Sequence, residues 1–474
     1  MTALQEVPVA AISTERFRPL LGDGYGEVED AIARAHEVLR GRIVWHVNST
    51  ARGGGVAEML HSLLAYGRGA GVDLRWLTIG GSPEFFRLTK RLHNHLHESP
   101  GDDGELGRAE HETYQRGLIE SADELSGLVQ KGDIVYIHDP QPAGLVAHVE
   151  SSDVSVVWRC HIGIDNPGPY AHAAWDFLRP YIADADAYVF SRERFAWDGL
   201  DQGRTWIVPP SIDIFSPKNQ DLDPDAVRAI LAVTGVGAGD HFTKALFRHL
   251  DDSEARVDRR AELDQDGPVP DDAPLVSQVS RWDRLKDPIG VLRAFAEHCR
   301  TPGAHLLLVG PSVAGVADDP EGAEVLGEVR AGRQSLDPEV RARVHLATLP
   351  MDDVAENAAM VNAIQRRSDV VVQKSLAEGF GLTVAEAMWK SRPVVAGAVG
   401  GIQDQIEDGV SGVLVDPLDP AATVAAIDRL LGDPEAAAKM GEAARDRVIR
   451  QFLGTRHLLQ YLDLLAGMLD SDQA

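Results

Sequence analysis

The sequence of 474 residues predicts an α/β chain of two doubly wound parallel sheets, and three observations carry that prediction. Short β-rich runs alternate with helical patterns along most of its length, which is the pattern of successive βαβ units. Several runs are continuously apolar, as in Ile43-Val44-Trp45, Leu306-Leu307-Leu308-Val309 and Val370-Val371-Val372. Such runs suit parallel strands buried on both faces. The length, at roughly 100–200 residues per domain, calls for two domains or three.

The first strand series falls at residues 42–47, 73–79, 133–138, 155–160, 187–190 and 205–208. A second series falls at 275–279, 305–309, 344–347, 369–373, 393–396 and 412–415. Helical patterns lie between them at 56–66, 106–129, 288–298, 354–366, 383–390 and 421–431. The proline-rich stretch Pro209-Pro210 to Pro217 follows the sixth strand and divides the chain into 1–213 and 214–452. A last helix, Arg456 to Leu469 within 453–474, comes after the final strand, and packing on either domain, including back on the first, stays open. Residues 251–272 hold nine acids against three arginines and read as a solvated loop or a frayed helical segment.

Composition limits the function classes. Hydrophobic residues at 44% and charged residues at 25% are ordinary for a globular chain and exclude a disordered or collagen-like one. A net charge of −27 argues against a nucleic-acid or anionic-membrane partner, which needs a basic face. An anionic small ligand stays open, because it needs only a local basic pocket. Two cysteines, Cys160 and Cys299, are too few for a disulfide framework. No secretory leader and no apolar stretch of about 18–20 residues is evident, so a soluble cytoplasmic protein is expected.

Three motifs stand at the ends of expected strands, where open α/β sheets bind ligands. Glu378-Gly379-Phe380-Gly381-Leu382 leads into a helix that carries Glu386. Its glycines let backbone approach a ligand, and the N–H groups of a helix start donate to hydroxyls or phosphate. Arg281 and Lys286 follow the strand at 275–279, where a fork and a point charge could clamp a diphosphate. Asp287 with Pro288 would cap the next helix. Gly53-Gly54-Gly55 after Asn48 opens a helix as an anion or sugar site, and fits neither the dinucleotide nor the P-loop pattern. The segment Gly22-Asp23-Gly24-Tyr25-Gly26 follows no strand.

Two further clusters sit at strand ends: His138-Asp139-Pro140-Gln141 and Cys160-His161-Ile162-Gly163-Ile164-Asp165. Asp139 and His161 read equally well as ligand contacts or as caps. His93, His95 and His97 alternate on a helical segment, where i and i+2 do not share a face, so zinc is not expected there.

Together these motifs resemble the retaining GT-B glycosyltransferases of family four. The Glu378-to-Glu386 element with its Gly-Phe-Gly, and the Arg281 and Lys286 pair, carry that resemblance in the second half. In the first half His46-Val47-Asn48-Ser49-Thr50, Gly53-Gly54-Gly55-Val56-Ala57-Glu58, Ile137-His138-Asp139-Pro140-Gln141-Pro142 and Trp158-Arg159-Cys160-His161-Ile162 are similar to the group of trehalose glycosyltransferring synthases and retaining trehalose phosphorylases.

The resemblance implies two Rossmann-like domains facing across a cleft, with a nucleotide-sugar held mainly by the second. It implies a catalytic set of Arg281, Lys286, Glu378 and His161, the two cations on the diphosphate. Glu386 would hold the donor ribose. Glu378 and the backbone of Gly379, Phe380, Gly381 and Leu382 would bind the transferred glucose, with Gly54 and Gly55 near the diphosphate. Asp139 and Asn48 would orient the acceptor glucose. No metal or other cofactor is implied, and a homodimer is allowed. The implied reaction is NDP-glucose + glucose ⇌ trehalose + NDP with retention. A phosphorylase using trehalose and phosphate, a transferase with another small acceptor, and a non-catalytic sugar-binding protein stay open as alternatives.

Overall fold

The computed structural model describes residues 3–51, 54–149, 154–239, 244–313 and 320–471. The chain divides into two compact units, Met1–Ser211 with Gly454–Ala474, and Ile212–Leu453.

Unit 1 is built on a seven-stranded sheet. Its strands are β1 (Leu4–Val7), β2 (Val44–Asn48), β3 (Leu74–Ile79), β4 (Ile134–His138), β5 (Ser155–Cys160), β6 (Ala187–Phe190) and β7 (Thr205–Ile207). Their order across the sheet is β1-β3-β2-β4-β5-β6-β7. All neighbours are parallel except β1, which pairs antiparallel with β3 (Leu4↔Ile79). Alternate residues along each strand serve two cores. On β4, Val135 and Ile137 face one apolar cluster while Ile134 and Tyr136 face the other. Double-sided burial is why these strands read as unbroken apolar runs. The C-terminal helix Gly454–Ser471 closes the second face with Leu458, Tyr461, Leu462 and Leu465.

Unit 2 repeats the plan. After a separate hairpin of β8 (Leu246–Arg248) and β9 (Glu254–Arg256) come β10 (Glu262–Asp264), β11 (Leu275–Val279), β12 (His305–Pro311), β13 (Val344–Leu349), β14 (Val370–Gln373), β15 (Val394–Gly397) and β16 (Val413–Val415). The sheet order is β10-β13-β12-β11-β14-β15-β16, parallel but for the edge strand β10. Two doubly wound sheets are therefore what the sequence predicts, with the expected strands displaced by no more than two residues.

The acidic insert at 251–272 is a correction. It forms β9 and β10 rather than a loop or a frayed helix. Three of its carboxylates, Glu262, Asp264 and Asp266, pair with arginines outside it. Arg330 meets Asp264 at 2.8 Å and also Glu262, and Arg333 meets Asp266 at 2.8 Å. Leu263, opposite Ala347, packs against the sheet core. Among the described residues no helix is long and apolar enough to cross a membrane.

Candidate functional site

In unit 2, β11 and β14 are parallel neighbours (Val276↔Val370), so the loops leaving their C-terminal ends meet. The Leu376 N–H donates to the Leu285 carbonyl at 2.7 Å and ties the two loops together. Lys286 Nζ is ion-paired with Glu378 Oε2, and the Ser375 hydroxyl donates to the same oxygen at 3.3 Å. The two paired side chains are only 16% and 12% exposed. A second pair, Lys374 Nζ with Asp287 Oδ2, lies in the same two loops. Asp287 also caps the helix Pro288–His298 by accepting the Gly290 N–H at 3.0 Å. Arg281 is half-exposed and meets Asp283 at 2.8 Å.

Gly381, in the left-handed region at φ 84°, turns the chain into the helix Leu382–Trp389. The loop before it is clamped from the next βα turn. The Gly401 N–H donates to the Gly379 carbonyl at 3.1 Å. Gly400 sits at φ 49°, where an added Cβ would stand 1.6 Å from the Glu378 carbonyl oxygen. The Phe380 side chain is buried edge-on against Phe452, so only its backbone is placed to meet a ligand. Glu386 lies one turn into the helix, buried, with Lys218 Nζ at 3.7 Å. Arg281, Lys286, Glu378 and the Gly379–Leu382 backbone thus lie in the adjoining loops after β11 and β14.

Unit 1 gathers its expected residues at the ends of β2, β4 and β5. Asp139, at φ 67°, accepts the His161 N–H at 2.7 Å through Oδ1. Burial pushes its carboxyl up to about 7, against the opposing pull of that N–H and of Arg159. Asn48 commits its amide inside the unit, donating to the Thr50 carbonyl at 2.7 Å and accepting from Trp76 Nε1 at 2.9 Å. Gly54 and Gly55 open the helix Gly54–Gly69 beyond β2. Gly53 lies outside the described residues.

Behind His161 stands a row of side chains, several of them within the quoted motifs, to which motif reading gave no role. His161 Nε2 meets His138 Nδ1 at 3.1 Å, and His138 Nε2 meets His46 Nδ1 at 3.0 Å. The fully buried Arg159 donates to His161 Nδ1 at 3.3 Å, the Tyr461 hydroxyl at 2.8 Å and the Val208 carbonyl at 2.9 Å. It also approaches His457 Nε2 at 3.4 Å. Burial drives the basicity of His46 down to about 3, with the Arg159 charge adding to it. Burial also holds His138, His161 and His457 well below the ordinary histidine range. The legible clue was Arg159 itself, a charge that follows the apolar run Val156-Val157-Trp158 within β5. In unit 2, Lys374 and Gly400 were likewise missed.

Comparisons with known proteins now bear on these two groups of residues. The model "Trehalose synthase, N-terminal domain" matches residues 46–197, and "Glycosyl transferases group 1" matches 259–447. A trehalose synthase of Pyrococcus horikoshii is 36% identical, with 96% of each chain covered. A trehalose phosphorylase of Pleurotus sajor-caju is 28% identical, over 92% of this chain and 59% of the relative. A solved α,α-trehalose-phosphate synthase (UDP-forming) from Burkholderia vietnamiensis has a TM-score of 0.66 at 15% identity, covering 91% of this chain and 98% of that one.

Proposed function

The chain belongs to the trehalose synthase family of GT-B glycosyltransferases, and on that premise we propose that it transfers glucose from a nucleoside diphosphate glucose to free glucose, reversibly and with retention, forming trehalose. One observation carries this reading at the level of geometry. Lys286 and Glu378, from separate loops at the ends of β11 and β14, share one point with a glycine-opened helix start.

In this reading unit 2 holds the donor. An ammonium has three N–H donors. Lys286 can therefore keep Glu378 on one and offer the others to a phosphate oxygen. Arg281, half-exposed, adds a fork to the diphosphate. Glu378 and the N–H groups of Gly379–Leu382 take glucose hydroxyls, and Glu386 takes the ribose. His161 contacts the transferred sugar, and Asp139 orients the acceptor.

The bond from the anomeric carbon to the leaving phosphate oxygen breaks through an oxocarbenium-like state. The acceptor hydroxyl attacks on the same face, and its proton passes to the departing phosphate. Lys286 and Arg281 stabilise the charge that develops on that phosphate. No step calls for a metal, so trehalose formation is expected to be unchanged in a chelator.

The phosphorylase alternative is favoured by the similarity to the Pleurotus relative, of which this chain spans about three-fifths. One experiment separates the two: trehalose incubated with phosphate, or with ADP, UDP or GDP, and the sugar product identified. Nucleotide-glucose is expected. Glucose 1-phosphate formed without nucleotide would overturn the synthase reading. Thermal shift with the three diphosphates identifies the base. A cytoplasmic setting, with Cys160 and Cys299 both free, goes with this reading.

A further inference from the structure

The row of histidines behind His161 has a direction, and Arg159 sets it. A guanidinium donates and never accepts. Its Nε–H points at His161 Nδ1, so that nitrogen carries no proton. A neutral His161 then holds its proton on Nε2 and donates to His138 Nδ1. The same constraint passes on: His138 holds its proton on Nε2 and donates to His46 Nδ1. A second branch starts at the other end of the guanidinium. His457 Nε2 accepts from Arg159 Nη1, so His457 carries its proton on Nδ1, toward the Ser211 hydroxyl at 2.9 Å.

We propose that Arg159 is a positioning residue for the reaction: it fixes His161 in the Nε2-protonated neutral tautomer through Nε and anchors the C-terminal helix, through His457 and Tyr461, to the same guanidinium. The consequence is geometric. The His161 ring is turned inward, onto His138, in a stack with centroids 5.4 Å apart. What it can present to a sugar is its edge and its backbone. The His161 backbone is itself held by Asp139, whose own N–H donates to the Arg159 carbonyl at 2.7 Å.

Protonation at any point of the row would set two donors against each other, which is why the arrangement excludes a histidinium. The charged and titratable groups that face it are Asp139, Tyr136, Arg159, Arg456, His457 and Tyr461, and they agree. The two arginines oppose a further positive charge, and Asp139 is spent on the His161 N–H. Tyr136 stacks on His46 with centroids 5.0 Å apart.

The proposal rests on the reading of His161 as a sugar contact, and its test separates the two. In full-length protein labelled with 15N-histidine, two-bond proton–nitrogen correlation reads each tautomer. His161→Gln and His457→Gln assign the signals by loss. His161 is expected as the Nε2–H form and His457 as the Nδ1–H form, both unchanged from about pH 8 to about pH 5.5, across the ordinary histidine range. A His161 signal of the Nδ1–H form, or a histidinium, would overturn the proposal. In Arg159→Met the His161 signal is expected to move toward the Nδ1–H form. Its kcat should fall about 10²-fold, the cost of misplacing a reacting group, with donor KM unchanged.

Wild-type kcat in Arg159→Met would also overturn it. Should that variant fail to fold, Tyr461→Phe removes one acceptor alone. It is expected to lower kcat about fivefold, the worth of one buried hydrogen bond, with unchanged donor KM; wild-type kcat there counts against the proposal. Absence of trehalose synthesis in the unaltered protein would instead sink the proposed reaction, and the tautomer spectrum would still be decided.

Discussion

Replacing Lys286 by Met tests the proposed donor site most directly, because it separates a catalytic cost from a structural one. The ammonium leaves two debts in this fold. The first is loss of a cation aimed at charge that develops in the transition state, worth about 10²–10³ in kcat or about 2.7–4 kcal/mol. The second is Glu378, 12% exposed and stripped of its ion partner. A fully enclosed pair broken in this way costs about 3–5 kcal/mol. Here the Ser375 hydroxyl still donates at 3.3 Å and some solvent reaches the carboxylate, so about 1–3 kcal/mol is the better figure. For a unit of this size that lowers Tm by about 2–10 °C. The assay is trehalose formation at saturating donor and glucose, with thermal unfolding run in parallel. The double variant Lys286→Met with Glu378→Gln removes both charges, so it should recover most of the lost Tm and none of the lost turnover. Turnover within about threefold of the unaltered protein in the single variant would refute the diphosphate role. A double variant as unstable as the single would refute the pairing argument.

Three further outcomes are expected. Gly400→Ala places a Cβ 1.6 Å from the Glu378 carbonyl oxygen at a positive φ, so the loop before Gly381 must move; turnover and Tm should both fall, and near-normal values in steady-state kinetics and melting would contradict the clamp. His46 titrates at about 3 in the fold against 6.5 ordinarily, and His138, His161 and His457 are shifted the same way, so below about pH 6.5 the unfolded chain binds protons that the fold refuses. Urea midpoints should therefore drop as pH falls from about 6.5, and a flat profile would argue against neutral buried histidines. Asp139 acts in the opposite sense: with its carboxyl raised from 3.8 to about 7, the fold holds a proton that the unfolded chain releases, and stability is lost as pH rises through that window. Asp139→Asn keeps an acceptor for the His161 N–H and should be the more stable protein at pH 8 by urea titration, whereas equal stability would speak against the raised value.

What the sequence made legible follows from burial. Strands such as β12 and β14 are apolar on both faces, so their unbroken apolar runs located them within two residues. The Glu378–Gly381 turn was legible because only glycine suits the φ of 84° at its end. The short edge strand β10 was not, because its acids are balanced by Arg330, which is far along the chain and invisible to a local window. The same limit hid the row behind His161. Arg159 and His457 are 298 positions apart, so the charge in β5 shows locally while the partner that gives it a role does not. Side chains whose partners come from the returning C-terminal helix carry no local signature. Gly400 belongs with them: its necessity comes from the Glu378 carbonyl, which a sequence window around 400 does not contain.

Charge gives the last constraint on how such a protein binds an anion. The chain carries a net charge of −27, and the proposed donor site in unit 2 is not a bare cationic patch. Lys286 faces Glu378, Lys374 faces Asp287 and Arg281 faces Asp283, so each cation stands beside a carboxylate. A diphosphate arriving there meets no excess of positive charge. Affinity must come from direction: the spare N–H groups of Lys286, the fork of a half-exposed Arg281, and backbone N–H groups at the start of the helix Leu382–Trp389. That arrangement suits a transferase more than a phosphate sink. Carboxylates that keep Lys286 oriented before the donor binds leave it in place when charge appears on the leaving phosphate, so little reorganisation is needed at the moment of transfer. Glu378 in this view has two uses that reinforce each other, as a partner that fixes Lys286 and as an acceptor for the hydroxyls of the sugar being moved.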